Sequence, residues 1–259
     1  MSTVSGCGGH DCWVPTYRDQ AVVLRTQKLG EADRIITLLT QYNGKVRAVA
    51  RGVRRPLSKF GGRLEPFTHV DVQLVRGRTL DVVAQVETVA GYSRPMRTDY
   101  PRFTSGVVML ETVERLVTEE GVPALQQYHL LVGALHALGA GEKPPTLILD
   151  SFLLRSLAIA GYAPNLEVCA RCGNDTDRRW FSATVGGLVC PTCRPSGAEQ
   201  LGPGVGDLLG ALLAGDWVLA SAASPQQRGQ AHAVVEAFVT WQMEHALRSL
   251  PLLDSGDGG

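Results

Sequence analysis

The sequence predicts a mixed α+β protein, with a small β-barrel at the N-terminus followed by an all-α domain. Up to about residue 86, apolar residues alternate with polar ones in short runs that are separated by turn signals. Beyond Pro101 the apolar residues recur every three or four positions, and two cysteine pairs interrupt that pattern. The chain has 259 residues, 44% of them hydrophobic. This is enough for two cores, because single cores stop growing near roughly 250 to 300 residues.

Five strands are predicted in the N-terminal part, at residues 21–26, 34–40, 45–51, 67–75 and 79–86. Asn43-Gly44 is a strong hairpin signal, because both turn positions require a positive φ. Five short antiparallel strands fit a closed barrel of the OB type better than a sandwich, which has about seven strands.

Helices are predicted after Pro101, where apolar stripes cover residues 107–117, 125–138, 147–159, 205–219 and 226–250. The resulting domain organisation is a flexible extension, an OB-fold domain, a helical domain and a disordered tail. Their bounds are residues 1–16, 17–96, 97–250 and 251–259, with a cysteine-rich insertion at 168–196 inside the helical domain.

The cysteine-rich insertion carries the strongest local signal. Cys169 and Cys172 form one C-x2-C pair, Cys190 and Cys193 form another, and 17 residues separate the pairs. This spacing is typical of structural zinc sites, in which four thiolates complete a tetrahedron and leave no position for water. We therefore expect one structural Zn²⁺ per chain. The alternatives are a redox cysteine pair, an iron–sulfur cluster, or an insertion that holds no metal. We call the insertion at residues 168–196 the knuckle.

Three further potential ligands, Cys7, His10 and Cys12, stand in the N-terminal extension. They are interpreted as adventitious, since a site needs a fourth ligand and a rigid frame. The first residues lack the features of a signal peptide and no stretch is apolar enough to span a membrane, so we expect a cytoplasmic protein.

The net charge of zero hides an uneven distribution. Residues 17–100 contain 15 Lys and Arg against 8 Asp and Glu, whereas residues 101–259 contain 10 against 16. Seven cations and no acidic residue lie within residues 45–63: Lys45, Arg47, Arg51, Arg54, Arg55, Lys59 and Arg63. The first three occupy odd positions of one predicted strand and so should share a face. This one-sided, Arg-rich charge predicts binding to nucleic-acid phosphates, against the alternative of a solvated surface.

Two aromatic residues flank the basic segment. Tyr42 and Phe60 are candidates for stacking on bases, because OB modules combine a positive groove with aromatic platforms. Each of them is also compatible with a place in the core.

Several ordered motifs resemble the RecO family of recombination mediators. They are Tyr17-Arg-Asp-Gln-Ala-Val-Val-Leu-Arg25, Gly30-Glu-Ala-Asp-Arg34, Thr37-Leu-Leu-Thr40, Asn43-Gly-Lys45, Arg51-Gly-Val-Arg-Arg-Pro56 and Phe60-Gly-Gly-Arg-Leu-Glu-Pro-Phe67. The likeness continues through the four cysteines, with Trp180-Phe-Ser182 and Gly186-Gly187 between the pairs as in the zinc-bearing members. It covers residues 17 to about 250.

The resemblance implies a non-enzymatic role in homologous-recombination repair in the cytoplasm, at the nucleoid. Proteins of this family bind single- and double-stranded DNA and anneal complementary strands. They also bind RecR and the C-terminal tail of single-strand-binding protein. They help to load RecA onto DNA that is coated with single-strand-binding protein.

Two other classes of function remain as alternatives. A zinc-ribbon adaptor would use the basic segment only to dock a protein partner. A nuclease would need clustered carboxylates, and the glutamates at 111, 114, 119 and 120 look like an ordinary solvated helix face. The chain contains no G-x-x-x-x-G-K-[ST] motif and no recognisable Ser, His and acid arrangement.

Overall fold

The computed structural model describes residues 15–58, 60–92, 96, 99–175 and 177–253, with side chains as far as residue 245. Its N-terminal part is a closed five-stranded barrel in the order β1-β2-β3-β5-β4. The strands are β1 (Thr16–Leu29), β2 (Asp33–Thr40), β3 (Lys45–Ala50), β4 (Thr68–Val75) and β5 (Asp81–Gly91). All neighbouring pairs are antiparallel except β3 and β5, which run parallel and close the barrel. The predicted five-stranded barrel is confirmed.

The barrel encloses a core of alternate strand residues. In β3, Val46, Ala48 and Ala50 point inward and are buried, while the residues between them are half-exposed. Phe60 and Leu64, which follow β3 in a loop with a short 3-10 turn at Gly61–Leu64, insert into the same core. The loop is therefore anchored at its far end by burial of apolar surface.

The C-terminal part consists of helices, as predicted. Within the described residues they are α1 (Tyr100–Leu116), α2 (Leu125–Ala140), α3 (Pro145–Ile159), α4 (Val205–Ala214), α5 (Trp217–Ala222) and α6 (Pro225–Leu253). The single helix predicted for residues 205–219 is wrong, because Gly215 takes a left-handed conformation that ends α4. The Asp216 side chain then accepts hydrogen bonds from the N–H groups of Val218 and Leu219, which starts α5.

The cysteine-rich insertion lies between α3 and α4 and forms a small sheet. Its strands are β6 (Trp180–Ser182), β7 (Gly187–Val189) and β8 (Glu199–Gln200), in the order β7-β6-β8. Phe181 packs edge-on against Phe238 of α6, with ring centroids 5.8 Å apart. Phe181 and Leu188 thus belong to the core of the helical domain.

The barrel and the helical domain share buried surface. Val22, Leu24 and Leu39 on the outside of the barrel join the same apolar cluster as α1, α2 and α3. A buried hydrogen bond of 2.8 Å links the His69 Nε2 atom on β4 with the Tyr128 hydroxyl on α2. The two domains therefore pack directly against each other.

The His69–Tyr128 contact should make the stability of the protein depend on pH. Burial lowers the pKa of His69. The folded protein therefore binds a proton at this side chain only at a lower pH than the unfolded chain, which binds it near pH 6.5. The stability associated with neutral His69 is present above that pH and is lost as the pH falls below it. We expect His69→Gln to reduce this decline in urea denaturation measured between pH 7.5 and 5. An equally steep decline in stability for His69→Gln would contradict this assignment.

Candidate functional site

The outer face of β3 carries the first two cations of the basic segment. Lys45 and Arg47 are both half-exposed, which confirms the alternation predicted for this strand. Both also contact the acidic helical domain: the Lys45 Nζ atom donates to the Glu114 carbonyl at 3.4 Å, and Arg47 lies 3.8 Å from the Glu120 carboxylate. Both side chains therefore already have partners within the protein, which leaves them less available to bind phosphates.

Arg51 does not belong to the β3 face, contrary to prediction. The strand ends at Ala50, and Gly52 adopts a positive φ of 66° that turns the chain away. The Asp33 carboxylate fixes this turn by accepting the Gly52 N–H at 2.7 Å. Arg51 is exposed in the turn and begins a basic loop, which we define as residues 51–63.

The basic loop presents most of the segment's accessible charge. Arg51, Arg54, Arg55 and Arg63 are exposed, whereas Lys59 lies outside the described residues. The loop packs beside the β1–β2 hairpin, where the Arg54 N–H donates to the Ala32 carbonyl at 3.0 Å. Two cations nearby are paired with carboxylates, since Arg25 pairs with Glu114 and Arg34 pairs with Glu65. Lys28, opposite Arg34 in the β1–β2 hairpin, is exposed. The four exposed arginines of the loop outnumber it and are the candidate phosphate ligands at this end of the barrel.

The two aromatic candidates occupy different environments. Phe60 is only 2% exposed in the barrel core, so it is not available for base stacking, and that part of the prediction is wrong. Tyr42 is 64% exposed in the β2–β3 turn. Because the six residues of β3 span about 20 Å, Tyr42 and the basic loop lie at opposite ends of the strand.

The turn that carries Tyr42 is held rigidly. Asp19, buried on β1, accepts hydrogen bonds of 3.1 Å from the backbone N–H groups of Tyr42 and Asn43. Arg76 in the β4–β5 loop reaches this turn, with its Nη2 atom 3.3 Å from the Asn43 Oδ1 atom. Arg76 is not among the residues predicted from the sequence to bind DNA; the available signal is its place beside Gly77, a turn residue between the fourth and fifth predicted strands.

The four cysteines come together as predicted. Their Sγ atoms all lie within 4.8 Å of one another, and those of Cys172 and Cys190 are 3.9 Å apart. Four sulfurs about 2.3 Å from a tetrahedral zinc ion would be about 3.8 Å from each other, so the arrangement fits such an ion. Tight turns position both pairs: the Gly173 N–H donates to the Cys169 carbonyl, and the Cys193 N–H donates to the Cys190 carbonyl.

The ionisation of the cysteines also fits a cation. Burial alone raises the pKa of Cys169, but backbone N–H donors from Cys172, Cys190 and Arg171 lower it to about 6. Hydrogen bonding with the neighbouring thiols Cys172 and Cys190 raises the pKa of Cys193 to about 12. Four crowded sulfurs thus cannot all ionise without a compensating positive charge, which a bound metal ion supplies. The N-terminal candidates Cys7, His10 and Cys12 lie outside the described residues.

Comparison with known proteins gives the family. Residues 14–92 match the family described as "Recombination protein O N terminal", and residues 97–251 match "Recombination protein O C terminal". The chain belongs to the RecO family. Its N-terminal barrel is the OB-fold of that family, and the protein is a DNA-binding protein of DNA repair and recombination.

Proteins named "DNA repair protein RecO" are similar along nearly their whole length. That of Nocardioides sp. is 54% identical over 241 residues, which are 92% of this chain and 99% of the relative. The one from Thermobifida fusca is 53% identical over 92% of this chain and 98% of its own, and that of Streptomyces coelicolor is 55% identical over 90% and 97%. The RecO likeness therefore includes both domains and the cysteine-rich insertion. None of the helices that the structure describes has the length and apolar character needed to cross a membrane.

Proposed function

We propose that this RecO-family protein is a mediator of homologous recombination that acts by binding alone, without covalent chemistry. It binds single- and double-stranded DNA, anneals complementary strands and, together with RecR, helps to load RecA onto DNA coated by single-strand-binding protein. The observation that carries the proposal is the exposed arginine loop on an OB barrel in a chain that belongs to a DNA repair family.

The basic loop is proposed as the main DNA contact. Arg51, Arg54, Arg55 and Arg63 bind backbone phosphates, with Lys59 added on the strength of its position in the sequence. Lys45 and Arg47 contribute less, because they already contact the helical domain. Tyr42 stacks on bases at the other end of β3.

Salt dependence of DNA binding tests this assignment. If four arginines neutralise phosphates, the logarithm of affinity for single strands should fall against log salt with a slope of about −3, since each contact contributes about −0.7. Arg51→Ala/Arg55→Ala should flatten that slope by about one unit, measured by fluorescence anisotropy with oligonucleotides of mixed sequence. The circular dichroism and metal content should stay unchanged, because exposed charges add little to fold stability.

A charge-matched control separates this site from general electrostatics. Arg18→Ala/Arg115→Ala removes two exposed cations elsewhere, of which Arg18 already pairs with Asp71 at 2.6 Å. This control should keep the parent slope. An unchanged slope in the loop variant would mean that DNA binds on another face.

The metal ion is proposed to be one structural Zn²⁺ held by Cys169, Cys172, Cys190 and Cys193. Four sulfur ligands within 4.8 Å of each other support it, because they favour zinc and close its coordination sphere. The ion would fix the knuckle and would take no part in any reaction.

The helical domain is proposed to hold the tail of single-strand-binding protein. A groove of about 720 Å³ lies between α2, α3 and α5. Leu130, Phe152 and Trp217 give it an apolar wall, and Lys143 and Arg155 supply positive charge. This combination suits a peptide with both acidic and apolar side chains.

Reversing one charge of the groove tests that placement. We expect Arg155→Glu to weaken binding of the tail peptide at least tenfold, since it replaces an attractive charge with a repulsive one that costs more than about 1.4 kcal/mol. Calorimetry with the peptide measures the loss, and DNA affinity serves as the internal control because the groove is on the helical domain. Equal peptide affinity in parent and variant would place the tail elsewhere.

A further inference from the structure

Leu57 is an unusual feature of the basic loop. Its side chain is 99% exposed, the highest value among the large apolar residues that the structure describes. Single exposed leucines are common on protein surfaces and by themselves carry no meaning. This one follows directly after Arg54 and Arg55, both exposed, and after Pro56. Its neighbours along the chain are therefore the groups that we assign to phosphates.

The position of Leu57 is fixed by a turn. The Ser58 N–H donates to the Arg55 carbonyl at 3.0 Å, so residues 55–58 form a β-turn with Pro56 and Leu57 at its two central positions. Proline is favoured at the first of these positions because its φ is preset. The chain on both sides is held, by the Arg54 N–H bound to Ala32 and by Phe60 in the barrel core. An apolar side chain is thus displayed on a preorganised tip.

We propose that Leu57 is an apolar wedge, which inserts between neighbouring bases of a bound DNA strand while Arg54 and Arg55 hold the adjoining phosphates. The proposal rests on the DNA-binding function proposed above and assigns a base contact to a loop so far given only phosphate contacts. Minor-groove proteins insert leucine or proline between base steps of a duplex, which unstacks the bases and kinks the helix, and they place arginine and lysine side chains in the same groove. The Arg-Arg-Pro-Leu turn supplies both components within four residues.

The wedge would act on the conformation of the strand more than on affinity. Phosphate contacts supply most of the binding free energy when no sequence is read. Insertion of Leu57 would separate stacked bases and leave their pairing edges accessible. Such a strand is better prepared to pair with its complement, which connects the loop to annealing.

Fluorescence of 2-aminopurine measures this effect, because the base is quenched when stacked and bright when unstacked. We expect the full-length protein to brighten a single strand with one central 2-aminopurine at saturation. Leu57→Ser should lose most of that gain, while its affinity at low salt falls by less than about threefold. Leu57→Met keeps an apolar tip and should retain the gain. Val218→Ser, at a residue 86% exposed on the helical domain, is the matched surface control and should behave as the parent.

The outcomes separate the wedge from the DNA-binding proposal. If Leu57→Ser brightens the probe as the parent does, or if Leu57→Met loses the signal too, the wedge is refuted while DNA binding stands. If Leu57→Ser loses affinity for a protein partner but keeps the fluorescence gain, Leu57 contacts that partner and not the bases, which also refutes the wedge. Absence of any salt-dependent binding by the parent would instead refute DNA binding by the barrel.

Discussion

Purified protein is expected to carry one zinc ion per chain, and Cys172→Ser is expected to lose both the ion and the fold of the knuckle. Among the residues of the knuckle that the structure describes, the separate apolar cluster has only Cys169, Val189 and Cys190 as buried members, so this core is very small. Units below about 40 residues usually need a metal or a disulfide to fold. Elemental analysis of parent and variant measures the loss of the ion.

Loss of the zinc site should also destabilise the helical domain. Phe181 and Leu188 extend from the knuckle strands into the core of that domain. If both become exposed, the free energy of unfolding should fall by about 3 to 6 kcal/mol, at about 1.5 to 3 kcal/mol for each side chain. Thermal unfolding with and without a chelator detects this as a lower Tm.

The N-terminal cysteines provide the matched control for the zinc site. Cys7→Ser/Cys12→Ser removes as many thiols as one pair of the quartet but should keep one ion per chain and the parent Tm. Full zinc content in Cys172→Ser, or loss of zinc in the N-terminal variant, would contradict the assignment to the quartet.

Local sequence patterns predicted the elements of this fold well. Alternation in β3 is confirmed at Val46 and Ala48, because a strand places successive side chains on opposite faces whatever its partners are. Each C-x2-C pair is confirmed for a similar reason, since that spacing fixes a tight turn locally, and the two pairs meet through the long-range bond from the Ala170 N–H to the Leu188 carbonyl. The break at Gly215-Asp216, which the single helix predicted for residues 205–219 ignores, is also encoded locally, as a helix end followed by an N-cap.

Contacts between distant parts of the chain escaped prediction. The ion pair of Arg47 with Glu120 and the contact of Lys45 with Glu114 join residues of two different domains, and no local pattern encodes them. These contacts decide which cations remain accessible. The sequence offered seven cations without distinction, whereas the structure separates the exposed arginines of the loop from Lys45 and Arg47 on β3. The residues assigned to DNA contact stay a prediction until binding is measured.

Phe60 and Tyr42 illustrate the same limit, because both are aromatic residues next to a turn and only the tertiary structure tells them apart. Phe60 lies in the barrel core beside Leu64, and Tyr42 projects from a turn whose backbone is bound to Asp19. Their substitution by alanine should therefore have opposite consequences.

Phe60→Ala is expected to lower the free energy of unfolding by about 3 to 5 kcal/mol, because it removes a fully buried aromatic side chain and leaves a cavity in the barrel. Tyr42→Ala should change stability by less than about 0.5 kcal/mol, since the side chain is exposed. It should nevertheless weaken binding to single strands by about 1 to 3 kcal/mol, the contribution of one stacked base. Urea denaturation and anisotropy on the same samples give both numbers. If Phe60→Ala is as stable as the parent but binds DNA more weakly, Phe60 stacks on bases after all. If Tyr42→Ala keeps the parent affinity for DNA, the far end of β3 is not part of the interface and the basic loop remains the DNA contact.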